Sequence, residues 1–272
     1  MYEILTDRVI VEVYGEDSMN FLHNLTTNDI KKHDYCYTFA LTNQGRYLFD
    51  FFILKLSPTS FYIDISASQV DLFNTHLMMY KLRAKVAMQD LSDVYQLVYS
   101  KQKLEFNTIK SVKDPRYNKL GFRSIVTKNS LLDKGMKGLY LNDKYNFAIV
   151  DGVEDLIYNK SIPIEYGCEE LNALSYTKGC YIGQEVISRT KYQGVVRKKI
   201  FKLSFSSTNT NISVSKNDDI FAYKEKIGVI CSVYNNNAIA LVREEEYLSL
   251  HEECLITVND ALVILSIPPW RL

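Results

Sequence analysis

The 272-residue chain has no CxxC pair, and its cysteines (Cys36, Cys168, Cys180, Cys231 and Cys254) are odd in number. A disulfide framework or a structural zinc site would call for paired, regularly spaced thiols. Free thiols in a reducing compartment are therefore expected. The four histidines (His23, His33, His76 and His251) show no HExxH-type spacing, so no metal site is expected. No apolar run approaches the roughly twenty residues that cross a bilayer. The opening Met1-Tyr2-Glu3-Ile4-Leu5 lacks the basic, apolar and small-residue regions of a signal peptide. These absences give the expectation of a cytoplasmic protein with no membrane partner. Excess charge is absent too: 32 Lys and Arg balance 32 Asp and Glu. Phosphate binding usually leaves a basic surplus, so direct binding of nucleic acid is not expected. Nothing demands an obligate oligomer, and a monomer is expected.

What is present reads as alternating strands and helices. Arg8 to Tyr14 alternates as a strand, and Asp17 to Leu25 follows as a short helix after Gly15. Two β-rich runs, Tyr35 to Leu41 and Tyr47 to Leu56, flank Asn43-Gln44-Gly45-Arg46 and point to a hairpin. Phe61 to Ile65 continues the sheet. Val70, Phe73, Leu77 and Tyr80 recur at helical spacing, so Ser68 to Arg83 is read as an amphipathic helix lying on it. Strand character resumes at Lys85 to Met88 and Val94 to Tyr99. Lys101 to Asn118 is polar, with a turn at Asp114-Pro115-Arg116, and Tyr145 to Val150 reads as helical or buried. Beyond Gly194 the pattern changes to short β-rich runs at Ile200 to Phe205, Ile227 to Tyr234, Ala238 to Val242, Cys254 to Val258 and Ala261 to Ile267. That spacing points to a small barrel or sandwich. The fold class is accordingly α+β, with domains at 1–194 and 195–272.

The densest chemistry lies in Lys178-Gly179-Cys180-Tyr181-Ile182-Gly183-Gln184-Glu185. Two glycines around one thiol describe a shaped loop, because glycine admits φ > 0. Gly183 is placed at the start of a helix running from Gln184 to Lys191. The helix N-terminus and Lys178 would favour a Cys180 thiolate, while Glu185 opposes it. From these residues alone Cys180 is a nucleophile, a redox thiol, a metal ligand or a small buried hydrophobe. No His-Cys-Asp constellation supports the nucleophile.

This run resembles the K-G-C-[YF]-x-G-Q-E signature of the YgfZ family, folate-binding relatives of the glycine-cleavage T-protein that include a mitochondrial iron–sulfur assembly factor. The resemblance extends along the chain. Leu5 to Gly15 is similar to the family's opening strand, and Leu41 to Arg46 to its n-x-x-G-[KR] hairpin. Tyr80 to Val86 (YKLRAKV) and Asp114-Pro115-Arg116 with Leu120-Gly121-Phe122-Arg123 match further segments. Ile227 to Ile230 and Ala238 to Arg243 resemble strands of its C-terminal barrel. Two departures stand out: Ala148-Ile149-Val150-Asp151-Gly152 lacks the family's arginine, and Gly152-Val153-Glu154 replaces its G-[IV]-P step. Arg8 stands about where a bacterial relative carries an aromatic residue.

The resemblance implies a T-protein-like folate-binding region, built of antiparallel sheets with packed helices, followed by a small C-terminal β-barrel. It implies tetrahydrofolate as ligand and support of iron–sulfur cluster assembly or repair as function. Partners would be A-type carrier proteins and client iron–sulfur enzymes, including radical enzymes that modify tRNA. Cys180, with Lys178 and Glu185, is the implied reactive centre, as a redox thiol or transient ligand. Tyr145, Arg46, Arg116, Tyr181, Gly179, Gly183 and Gln184 are the implied folate contacts, with Tyr145 the first stacking candidate. Arg123 joins Arg46 and Arg116 as a candidate partner of the folate tail or of internal carboxylates. An accessory role ranks ahead of a folate-dependent aminomethyltransferase or demethylase, because T-protein-like transferases characteristically lack this cysteine run. A scaffold that has lost its ligand is the third reading.

Overall fold

Period-two patterning sorts the strands of the first half into a buried helix-facing side and a buried inner side. The computed structural model describes residues 1–105, 107–128, 130, 135–205, 214–251 and 254–272. In chain order its first elements are β1 (Tyr2–Ile4), β2 (Arg8–Tyr14), α1 (Ser18–Leu25), β3 (Tyr35–Leu41), β4 (Tyr47–Ser57), β5 (Ser60–Ser66), α2 (Val70–Lys81) and β6 (Ala87–Asp90). Strands β2 to β6 form one antiparallel sheet in the order β3-β4-β5-β2-β6. Val11, Val13, Phe49, Phe51, Ile63 and Ile65 cluster with Phe21 and Leu22 of α1 and Phe73 and Leu77 of α2. The alternate residues Asp50, Phe52 and Asp64 are also buried, on the opposite side of the sheet, as strand alternation requires.

A second sheet, in the order β1-β7-β9-β8, contains β7 (Tyr95–Ser100), β8 (Thr108–Lys113) and β9 (Phe122–Thr127). Strand β8 falls where the sequence reads only a polar stretch with a turn. Its residues are exposed or half-buried, so an edge strand with water on it leaves no apolar alternation to see. Helix α3 (Leu139–Phe147) follows, and only its C-terminal end, from Tyr145 on, coincides with the expected helical run at Tyr145 to Val150. Ala148 closes it in the left-handed region at φ 50, and Ala148 to Val150 continue as buried backbone. The start of α3 is capped from a distance: the N–H groups of Gly138 and Tyr140 each donate to the Glu3 carboxylate at 2.7 Å. This fixes Tyr140 relative to β1.

Helices α4 (Gly152–Asp155) and α5 (Gln184–Gln193) lead to a closed antiparallel barrel. Its strands are β10 (Lys198–Phe205), β11 (Asp219–Ala222), β12 (Glu225–Tyr234), β13 (Asn237–Arg243), β14 (Ile256–Val258) and β15 (Ala261–Ser266), with α6 (Glu244–Leu248) between β13 and β14. The short β11 is the barrel strand that the sequence reading lacks. The barrel does not stand apart. Ile200, Cys231, Ile239, Leu241 and Trp270 share one buried cluster with Tyr37, Phe52, Tyr145, Tyr166 and Tyr181. Among the described residues no helix is long and apolar enough to cross a membrane.

Candidate functional site: an exposed thiol loop and a polar cleft

The loop around Cys180 is built onto the C-terminal end of α1. A helix leaves its last carbonyls without intrahelical donors, and here the loop supplies them. Lys178 Nζ donates to the carbonyls of His23 and Thr26, and the Ile182 N–H donates to Asn24 O at 3.4 Å. In return His23 Nε2 lies 3.0 Å from the Lys178 carbonyl. A carbonyl only accepts, so Nε2 carries the proton. Burial, with the charge of Lys178, holds the His23 pKa below its ordinary value. Burial also lowers Lys178 to about 8, against Asp29 and Cys36, which raise it. The expectation that Lys178 favours a Cys180 thiolate is thereby corrected: its ammonium is turned inward onto the helix end.

Gly183 is the N-cap of α5 at φ +82, and a Cβ placed there would meet Thr42 O at 2.6 Å. Both facts require glycine, and together they seat α5 on the β3–β4 hairpin. Gly179, at φ +95, has nothing within 4 Å of such a Cβ. The thiol between them is exposed. By contrast Cys36, Cys168 and Cys231 are buried, and burial pushes the Cys36 thiol up to about 12 and raises the other two as well. Glu185 and Arg189 are exposed on α5, and Gln184 is half-buried. Tyr181 is buried in the main cluster, with its hydroxyl lacking a hydrogen bond. It packs the loop from beneath and offers no face to a ligand, contrary to its place among the expected folate contacts.

A separate cleft of about 320 Å³ opens between the two sheets and α4. Arg8 and Arg123 line one part of it; Tyr140, Asp151, Gly152 and Glu154 line another. Behind the wall lies a buried ionic network. Arg116 donates through Nε and Nη2 to Asp114, at 3.0 and 2.7 Å, and through Nη1 to Asp151 at 2.7 Å. Its guanidinium is fully buried, so the sequence-level assignment of Arg116 to a folate tail is also corrected. The Tyr140 hydroxyl lies 2.7 Å from both oxygens of Asp151. Lys144, with no exposed side chain, sits 3.5 Å from Asp151 and 3.0 Å from Asp155. Desolvation is overcome by these cations, and the Asp151 carboxyl is held well below the usual carboxylate range.

Tyr145 takes no part in the cleft. Its ring stacks on Tyr234 of β12, with centroids 5.4 Å apart, and is buried. The aromatic that does reach the cleft is Tyr140, one helical turn and a residue earlier. Arg46 donates to Lys160 O at 2.9 Å and is likewise outside the cleft. The expected contacts thus divide between the thiol loop, the barrel junction and the buried network. The sequence reading missed Tyr140 and Asp151 as cleft residues. The Asp151-Gly152 step was the available signal: a Cβ at Gly152 would meet Asp50 Oδ1 at 2.0 Å, a close approach that only glycine permits. Among the described residues no group of three or more His, Cys, Asp or Glu side chains is placed to hold a metal ion.

No family model matches the chain. It is similar to proteins named as mitochondrial iron–sulfur cluster assembly factor IBA57. The mouse protein is 28% identical over 98% of this chain and 84% of its own length, and the human protein 26% identical over the same shares. The Dictyostelium discoideum homologue is 28% identical over 74% of this chain, and the match spans 62% of that relative, under two thirds of its length. Among solved structures, the glycine cleavage system aminomethyltransferase T from Bartonella henselae superposes with a TM-score of 0.74 at 13% identity. That match covers 98% of this chain and 85% of the other. The fold is therefore that of the glycine-cleavage T-protein, with a closed six-stranded C-terminal barrel. The cytoplasmic expectation is overturned, since these relatives are mitochondrial proteins.

Proposed function

We propose that this chain is an accessory protein of iron–sulfur cluster assembly that binds a reduced folate in the cleft and presents Cys180 as a ligand to a cluster in transit. The observation that carries the reading is the Cys180 loop: an exposed thiol between two positive-φ glycines, tethered to the end of α1. Similarity to iron–sulfur cluster assembly factors supports it. A cluster normally takes about four thiolates. One exposed cysteine therefore acts together with ligands from a partner, and A-type carriers and client iron–sulfur enzymes, tRNA-modifying radical enzymes among them, are the proposed partners.

The cleft residues fit a folate. Its volume lies at the lower end of the range for small-molecule sites, roughly 300–1,000 Å³. Leu5, Val153 and Tyr140 supply apolar surface, Arg8 and Arg123 supply donors, and Asp151 and Glu154 supply acceptors. A pterin's amino-pyrimidinone edge presents both a carbonyl oxygen and N–H groups, so it needs both kinds of partner. When bound, a reduced folate would supply one-carbon carrier chemistry. Arg8 and Arg123 would hold its acceptor oxygens, and Asp151, kept ionised by Arg116 and Lys144, would accept from its N–H groups. The aminomethyltransferase alternative draws on fold likeness alone.

The test is complementation of a strain that lacks its own relative, with iron–sulfur enzyme activity and tRNA methylthiolation as readouts. Wild type is expected to rescue, and Cys180→Ala to fall to the level of the empty strain while remaining folded. Full rescue by Cys180→Ala would make the thiol structural and sink the proposal.

A further inference from the structure

Two guanidinium groups in the cleft wall keep hydrogen-bond donors that the protein does not use. Arg8, at the start of β2, and Arg123, on β9, come from different sheets and meet on one carboxylate, Asp64 of β5. Arg8 Nε lies 2.7 Å from Asp64 Oδ1, and its Nη2 lies 2.8 Å from the Asp64 carbonyl. Arg123 reaches Asp64 Oδ2 with Nε at 2.9 Å and with Nη2 at 2.5 Å. Neither Nη1 has a hydrogen bond to a described residue. For Arg123 Nη1 the nearest carboxylate oxygen, Asp114 Oδ2, is 4.0 Å away and already accepts from Arg116.

Both side chains are nine-tenths buried or more, at 10% and 2% exposed. The ring of Phe52, the cross-strand neighbour of Asp64, lies 5.8 Å from the Arg8 guanidinium carbon and 4.2 Å from that of Arg123. A guanidinium carries five N–H donors in a fixed fork, and the Nη1 donors are left for a group that enters the cleft. The pair shares one directly bonded carboxylate, while Asp50 and Asp151 act on Arg8 and Asp114 on Arg123 from farther off. Across the cleft, Asp151 is engaged by Arg116, Lys144 and Tyr140.

We infer that Arg8 and Arg123 form a paired acceptor-oxygen site, with the two Nη1 groups donating to one oxygen-bearing group of the cleft's ligand. The inference rests on the folate reading and adds which residues select the ligand. Among the acceptor oxygens of a reduced folate, the two that fit a guanidinium pair best are the 4-oxo group of the pterin and a carboxylate of the glutamate tail. Arg8 then makes a specific polar contact at the position where the sequence comparison registers only a missing aromatic.

The experiment is calorimetric titration of the full chain with three ligands: tetrahydrofolate, tetrahydropteroate, which lacks the glutamate, and the 4-amino analogue of tetrahydrofolate. Wild type is expected to bind tetrahydrofolate and to bind one of the two analogues roughly ten- to a hundredfold more weakly, as for loss of a charge-assisted hydrogen bond. The weaker analogue identifies the oxygen. Arg8→Leu should lose a similar factor for tetrahydrofolate and lose the discrimination. Arg8→Lys keeps a cation for Asp64 but not the fork, so it should fold as wild type does and still fail to discriminate. Equal binding of all three ligands by wild type, or wild-type affinities and ratios in Arg8→Lys, overturns the inference while the folate reading stands. A folded wild type that binds no tetrahydrofolate overturns both.

Discussion

The ammonium of Lys178 closes the carbonyl end of α1, and the whole thiol loop hangs on that contact. Burial pulls its pKa down to about 8, yet two carbonyl acceptors and the nearby Asp29 carboxylate favour the charged form. Removing it leaves buried carbonyls without donors, which costs about 1–3 kcal/mol. Lys178→Met is therefore expected to lower the stability measured by urea denaturation by that amount and to change the alkylation rate of Cys180. An unchanged midpoint together with an unchanged rate would show that the lysine is not the tether. The sequence marked Lys178 as part of the motif, but its direction was not legible there. A lysine two residues from a cysteine can turn either way, and the choice is made by His23 and Thr26, about 150 positions earlier in the chain.

At the scale of elements, the two glycines of the loop do different jobs. Gly183 combines a left-handed backbone with a hard contact on the hairpin carbonyl of Thr42, whereas Gly179 has the backbone but open space. Alanine in the left-handed region costs about 1 kcal/mol, and the clash at Gly183 adds to it. Gly183→Ala should lower the melting temperature clearly more than Gly179→Ala, and the reverse order in thermal scans would refute this account of how α5 is seated. Most element positions were readable. Period two gave β2 and the β3–β4 hairpin, and period 3.6 gave α2. The polar edge strand β8 and the part of α3 before Tyr145 were not readable. Strand β8 is held by pairing with β9 at a wet sheet edge and the start of α3 by the Glu3 cap, so neither shows in its own patterning.

In the whole molecule, the proposed division at 1–194 and 195–272 is one of architecture, while the core crosses it. Trp270 donates through Nε1 to Phe147 O at 2.7 Å, and its ring lies where a Cβ on Gly167 would be, with 2.4 Å to the nearest ring atom. Asp155 of α4 accepts from Ser232 of β12 and stands 3.0 Å from the buried Lys144. One buried cluster has members on both sides of residue 194 and couples the two regions. Calorimetry is thus expected to give a single transition, with Trp270→Ala destabilising it by about 3–5 kcal/mol. Two resolved transitions in wild type would contradict the shared core.

Local matters were legible in the chain: most of the strands and helices, the glycines that shape the thiol loop, and the single cysteine set between them. These follow from backbone sterics and side-chain periodicity, which act over a few residues. Where the charged ends of long side chains go depends on contacts that the fold brings together from distant parts of the chain. Arg116 turns into the buried network and Tyr145 onto the barrel, while Arg8, Arg123 and Tyr140 reach the cleft. The reason is desolvation: a buried charge settles where the fold brings a carboxylate or carbonyl to meet it. Asp64 meets Arg123 from 59 residues away, a pairing that no local pattern in the chain records.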